Sequence, residues 1–149
     1  MTNIIHVSNI LWGYMDLSKE IPLGELIDKL QLAFTNPDVK TEVLDQEWLE
    51  KNLRSGIDST GFCFAACQVI YKCNGKKDKW LVKVINRIKW EHGSHYYLQN
   101  KQTNEILDIT KDQYVQKGIS IPYELGKSVG IRGYSKGRIL AKHIGIYFE

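Results

Sequence analysis

Apolar residues return at helical spacing from Pro22 to Phe34. Leu23, Leu26, Ile27, Leu30 and Phe34 fall on one stripe, and Pro22 suits a first helical position. Asn36-Pro37 then reads as a break. A second short helix is predicted over Asp45 to Leu53, with Trp48 and Leu49 facing inward and Arg54-Ser55-Gly56 ending it. The first fifteen residues read equally as helix or strand. Residues 1–58 are therefore expected to form a helical N-terminal subdomain.

Ser59-Thr60-Gly61 precedes an apolar run from Phe62 to Tyr71. Cys63, Ala66, Cys67 and Ile70 recur at i, i+3, i+4 and i+7, so the run predicts a buried helix closed by Asn74-Gly75. A basic loop, Lys76 to Lys79, follows. From Trp80 to Trp90 the pattern alternates. Trp80, Val82, Val84, Ile88 and Trp90 share one face and Lys83, Arg87 and Lys89 the other, which predicts a strand with one buried side. Ser94 to Leu98 and Glu105 to Thr110 predict two more strands joined by the polar turn Gln99 to Asn104. Thr110 and Gln113 fit a capping box for a short helix ending at Gly118. A last helix is predicted over Ser135 to Ile144. These elements predict an α+β fold, with helices packed on a small antiparallel β-sheet. The chain 1–149 reads as one domain, its second part, 59–149, carrying the sheet.

Composition changes this picture little. The chain has 149 residues, 43% hydrophobic and 25% charged, which excludes a disordered chain, a coiled coil and a collagen-like repeat. No signal peptide and no run of about 18 apolar residues is visible, so no membrane partner is expected. Three cysteines within eleven positions (Cys63, Cys67, Cys73) make a poor disulfide framework and point to a reducing cytoplasm. Charge adds an asymmetry. Residues 1–58 hold 10 acids and 5 Lys/Arg, whereas residues 59–149 hold 7 acids and 15 Lys/Arg.

Candidate chemistry arises from chain order. A cysteine opens a buried helix, a histidine lies in a strand and an aspartate in the next strand. His95 follows Cys63 by 32 positions and Asp108 follows His95 by 13. A thiol at a helix N-terminus meets the positive end of the macrodipole, which favours the thiolate. An imidazole beside it completes the activation, and a carboxylate on the ring's other nitrogen fixes the tautomer. In a hairpin whose turn centres near residues 101–102, His95 and Asp108 come opposite each other.

The segments Ser59-Thr60-Gly61-Phe62-Cys63, Gly93-Ser94-His95-Tyr96-Tyr97 and Ile106 to Gln113 resemble the papain-like/transglutaminase-like superfamily. More narrowly, they are similar to the small YunG-like proteins of bacteria and phages, which show G-x-C, then S-H-Y, then D-(L/I)-T-x-x-Q. The resemblance covers roughly a third of the chain, and the order and spacing of the three blocks together make it moderately specific. It implies Cys63 as nucleophile, His95 as base and Asp108 as the group that orients His95. It also implies acyl-transfer chemistry on amides, whether hydrolysis of peptide or isopeptide bonds, glutamine deamidation or transamidation. Hydrolysis is the expectation, because water is always available as acceptor. A polar residue, often Gln, precedes the cysteine in that group, whereas Phe62 stands there in this chain. The side-chain oxyanion donor must then come from elsewhere, with Ser59, Thr60 and Gln113 as candidates and His92 as a candidate substrate contact.

Cys67 and Cys73 read as core residues. The spacing C-x3-C-x5-C matches no common zinc or iron–sulfur pattern, so no metal and no other cofactor is predicted. The expected partner is a peptide or protein amide. A rival reading is a non-enzymatic binding or adaptor protein on a papain-like scaffold. It would grip nucleic acid through Lys127, Arg132, Lys136, Arg138 and Lys142 near Tyr134.

Overall fold

The computed structural model describes residues 21–148. The first fifteen residues, where helix and strand read equally, and His6 lie outside the described residues. Three helices come first: α1 (Leu23–Phe34), α2 (Pro37–Val43) and α3 (Gln46–Ser55). The apolar stripe of α1 buries Leu26, Leu30, Ala33 and Phe34. Asn36-Pro37 does not simply break the chain. The Asn36 side chain accepts a hydrogen bond from the Asp38 amide, and Pro37, with no amide proton to lose, takes the first helical position of α2. Asp45 caps α3 through the Trp48 amide, and Gly56 ends it in the left-handed region.

The central helix α4 (Cys63–Cys73) buries Ala65, Ala66, Cys67, Val69 and Ile70. Phe62, just before it, is fully buried and stacks on Phe34 at 4.6 Å. Helix α7 (Ser135–His143) crosses α4 closely. A Cβ on Gly137 would come 2.7 Å from the Gln68 Cβ, so only glycine allows the approach. Buried Gln68 accepts from the Gly137 amide at 2.9 Å and donates to the carbonyls of Arg132 and Gly133. Its polar atoms are thereby satisfied inside the core. Residues of α1, α2, α4, α7 and the sheet share one hydrophobic cluster.

The sheet has four antiparallel strands in the order β3-β2-β1-β4: β1 (Trp80–Ile85), β2 (His95–Asn100), β3 (Ile106–Leu107) and β4 (Lys127–Val129). The predicted strand to Trp90 stops at Ile85. Residues 86–94 form a turn-rich loop, which leaves Ile88 87% exposed while Trp90 folds back into the protein. Ile85 is fully buried although the alternation puts it with the polar face, because Trp90, Tyr97 and Tyr114 cover that side of the sheet end. The expected basic loop at 76–79 is a single helical turn, α5 (Lys76–Lys79), and α6 (Asp112–Val115) is shorter than predicted. The capping box is not formed. Gln113 donates to the Thr110 carbonyl, and the Thr110 hydroxyl points to Asp108. Strand β4 and a 3₁₀ helix over Tyr123–Leu125 were not expected from the pattern.

Candidate functional site

The loop before α4 is held from below by one side chain. Asn52 of α3 is buried, and its amide nitrogen donates to the carbonyls of Asp58 at 3.0 Å and Thr60 at 2.9 Å, with a longer contact to Ile57. Gly61 follows at φ +89, where a Cβ would press on Leu44 and Trp48. This support places Cys63 at the start of α4, the one half-buried thiol of the three. Cys67, one turn further on, and Cys73, at the far end, are buried. Burial, with the nearby charges of Cys63 and Asp108, pushes the Cys67 thiol well above its ordinary pKa. Burial likewise raises Cys73 to about 12 despite the opposing charges of Lys72 and Lys76. Cys67 and Cys73 are therefore the inert core residues that the pattern predicts.

His95 begins β2 and is completely buried. Its Nε2 lies 2.6 Å from Asp108 Oδ2, and the Asp108 side chain is only 2% exposed. The two residues meet, although not as directly opposed strand residues. The observed pairing sets Leu98 against Leu107 and Gln99 against Ile106. Continued, that register puts Asp108 across from Tyr97, one step diagonal to His95. Strand β3 has ended by then, and the chain turns Asp108 toward the ring. The predicted face was right and the register was off by two.

The rings of Tyr114 at 5.0 Å, Tyr97 at 6.3 Å and Trp90 at 6.5 Å surround His95. Burial alone would disfavour the charged ring. The hydrogen bond to Asp108, the proximity of the Cys63 thiol and the charges of both outweigh it, and the His95 pKa rises from 6.5 to about 9. With Nε2 engaged by Asp108, Nδ1 is the nitrogen left over. It is buried and has no hydrogen-bond partner, so the thiol lies near the ring without a formed hydrogen bond at that atom.

Tyr123 completes the group. Its hydroxyl donates to Asp108 Oδ2 at 2.7 Å, and its carbonyl accepts from the Tyr97 hydroxyl at 3.0 Å. Burial and the Asp108 carboxylate raise the Tyr123 pKa strongly, which keeps it a donor. A Cβ on Gly126 would collide with the Tyr97 hydroxyl, so the turn into β4 depends on glycine there. Sequence reading missed Tyr123 because no local pattern announces a contact across 15 residues. The one available signal was the apolar spacing of Ile119, Ile121, Tyr123 and Leu125, which all pack against the cluster around Tyr97 and Tyr114.

The other candidates separate. Gln113 is buried, with its carbonyl oxygen 3.4 Å from the Gly61 amide and its nitrogen on the Thr110 carbonyl, so it ties α6 to the loop before Cys63. The Thr60 hydroxyl pairs with that of Ser55 at 3.0 Å. The Ser59 hydroxyl is buried without a partner. His92 is exposed in the 86–94 loop with its ring 5.3 Å from that of Trp90. A cleft of about 570 Å³ opens beside the site, and Thr60, His92, Gln113 and Tyr114 are among its walls. Cys63 itself lines a tight internal space of about 10 Å³ with Tyr96, Tyr97 and Asp108. The basic residues of the C-terminal part lie elsewhere. Arg138 and Lys142 of α7 border a separate hollow with Tyr147 and Phe148, and Tyr134 packs edge-on against Phe148. Among the described residues no cluster of three or more His, Cys, Asp or Glu side chains is arranged to hold a metal, and no helix is long and apolar enough to cross a membrane.

No family model, curated protein or solved structure matches the chain.

Proposed function

We propose that the protein is a cysteine-dependent acyl-transfer enzyme acting on amides, with hydrolysis as its reaction, built on a papain-like/transglutaminase-like core. The observation that carries the reading is the His95–Asp108 pair, its two side chains buried, beside a thiol that begins a helix. A buried charged pair is expensive in a low-dielectric interior. Here the pair leaves one ring nitrogen without a partner, as expected of a group kept for proton transfer.

In this reading the Cys63 Sγ adds to the amide carbonyl carbon, and the carbonyl oxygen becomes an oxyanion. The Cys63 backbone N–H is its first donor. The proton on His95 Nδ1 passes to the leaving nitrogen, the C–N bond breaks and the amine departs. An acyl-thioester remains on Cys63. Water then attacks it, gives a proton to Nδ1, and the C–S bond breaks to release the acid. Asp108 holds Nε2–H throughout, which fixes the tautomer and stabilises the imidazolium. Tyr123 holds Asp108 and acts as a positioning residue.

The test uses p-nitrophenyl acetate as an activated acyl donor. The expected result is a burst of p-nitrophenolate with an acetyl group on Cys63 that hydroxylamine removes, both lost in Cys63→Ala. An unchanged burst in Cys63→Ala, or an adduct on another residue, contradicts the reading.

A further inference from the structure

The large cleft beside the site has a sign of charge. Lys51 and Arg54 of α3, together with Lys117 and His92, are among its walls. No aspartate or glutamate lines it. Lys51 is partly neutralised by Glu47 at 3.0 Å and lies over the Trp48 ring at 4.5 Å. Arg54 and Lys117 have no ion-pair partner among the described residues. A second cleft, of about 310 Å³, lies across the Gly56–Ser59 turn and contains Asp58 and Asp112 but no cation. Lys40 pairs with that Asp58 at 2.6 Å, so the positive charge beside the second cleft is neutralised, whereas Arg54 and Lys117 in the first are not.

That cleft is coupled to the chemistry by two contacts already described. Gln113 in its wall bonds the Gly61 amide two residues before Cys63, and Tyr114 in its wall packs against the His95 ring. The cleft therefore reaches the site through Gln113 and Tyr114, while Cys63 lines the tight internal space beyond them.

We propose that the cleft selects an acidic peptide segment, with aspartate or glutamate carboxylates next to the amide that reacts. The inference rests on the proposed thiol chemistry for its amide, and on the cleft alone for its acidity. An arginine fork matches a carboxylate in bidentate geometry, and the lysines add positive field. A peptide fits better than a nucleic acid. The cations are few and belong to one pocket, rather than forming the extended stripe that a phosphate backbone follows.

Three peptides test it, each with a central dehydroalanine that captures a thiol by conjugate addition: the sulfur bonds to the β-carbon and a proton goes to the α-carbon. They differ only in carrying glutamates, glutamines or lysines on both flanks. The expected result is that the glutamate peptide modifies Cys63 at least about tenfold faster than the lysine peptide, a difference of about 1.4 kcal/mol. The double variant Arg54→Glu/Lys117→Glu should invert the preference when each rate is divided by that variant's own iodoacetamide rate. In parallel, a fluorescent glutamate peptide without the electrophile should bind by anisotropy and lose its binding in the double variant. Equal rates for the three peptides, or a preference that survives charge reversal, overturns the inference while leaving the thiol chemistry intact. Charge-dependent binding with no Cys63 modification by any reagent overturns the thiol chemistry and leaves the acidic-peptide site. An oligonucleotide of equal length that displaces the fluorescent peptide more effectively than unlabelled glutamate peptide also overturns the inference.

Discussion

The sheet side of the site and the cleft side are built by opposite means. His95, Asp108 and Tyr123 are locked among aromatic rings and bonded in a chain, Tyr123 to Asp108 to His95. Arg54, Lys117 and His92 stand exposed around open space. The first arrangement fixes the orientation of the His95 ring, which the proposed chemistry requires. The second leaves long side chains free to adapt to a ligand. Rigidity is concentrated where bonds would change, and mobility where a chain would be recognised.

The largest expected change breaks the locked side by pH. Folding raises the His95 pKa from 6.5 to about 9. The stability this ring contributes is therefore complete below about pH 6.5 and is lost as pH rises through about 9. Denaturant unfolding across that window should show the decline in the native protein and a shallower one in Asp108→Asn. Equal slopes would mean that the ring does not owe its charge to Asp108.

The two sides share one support, Asn52. Asn52→Ala strips the donor from the Asp58 and Thr60 carbonyls and should cost about 2 kcal/mol in urea unfolding. It should slow Cys63 labelling as well, because the loop before α4 loosens. A variant that loses stability but labels at the native rate would show that the loop does not set the thiol's position.

Asp108→Asn preserves shape and the bond from Tyr123 but permits the wrong tautomer. Turnover of p-nitrophenyl acetate should fall at least about tenfold, or about 1.4 kcal/mol of barrier, with an unchanged circular dichroism spectrum. Full activity in a folded variant would reduce the site to a Cys–His pair. At the small end, Arg54→Ala on the open side should change stability by less than about 0.5 kcal/mol. A larger cost would show that the cleft wall is structural.

The same division governs what could be read in advance. The His95–Asp108 meeting was legible because the expected and observed registers differ by two, and a shift of an even number of residues keeps both on one face. The register was not legible, because β3 has only two residues and the loop after it, not the ladder, places Asp108. Asn36-Pro37 carries the same letters for a break and for a capped helix start, and only the packing of Val39 and Val43 into the core decides for the helix. Ile88 continued an alternating pattern into a loop, since alternation records side-chain polarity and not backbone pairing. Tyr123 and the cleft cations come together from distant segments, which no local spacing reports.

The central claim is that His95 activates Cys63, and iodoacetamide labelling at pH 7, followed residue by residue by mass spectrometry, tests it most directly. The account predicts that Cys63 is modified well before buried Cys67 and Cys73 in the native protein, and that His95→Ala, still folded, slows Cys63 modification by at least about tenfold. Labelling of Cys67 first, or an equal Cys63 rate with and without the imidazole, would contradict it.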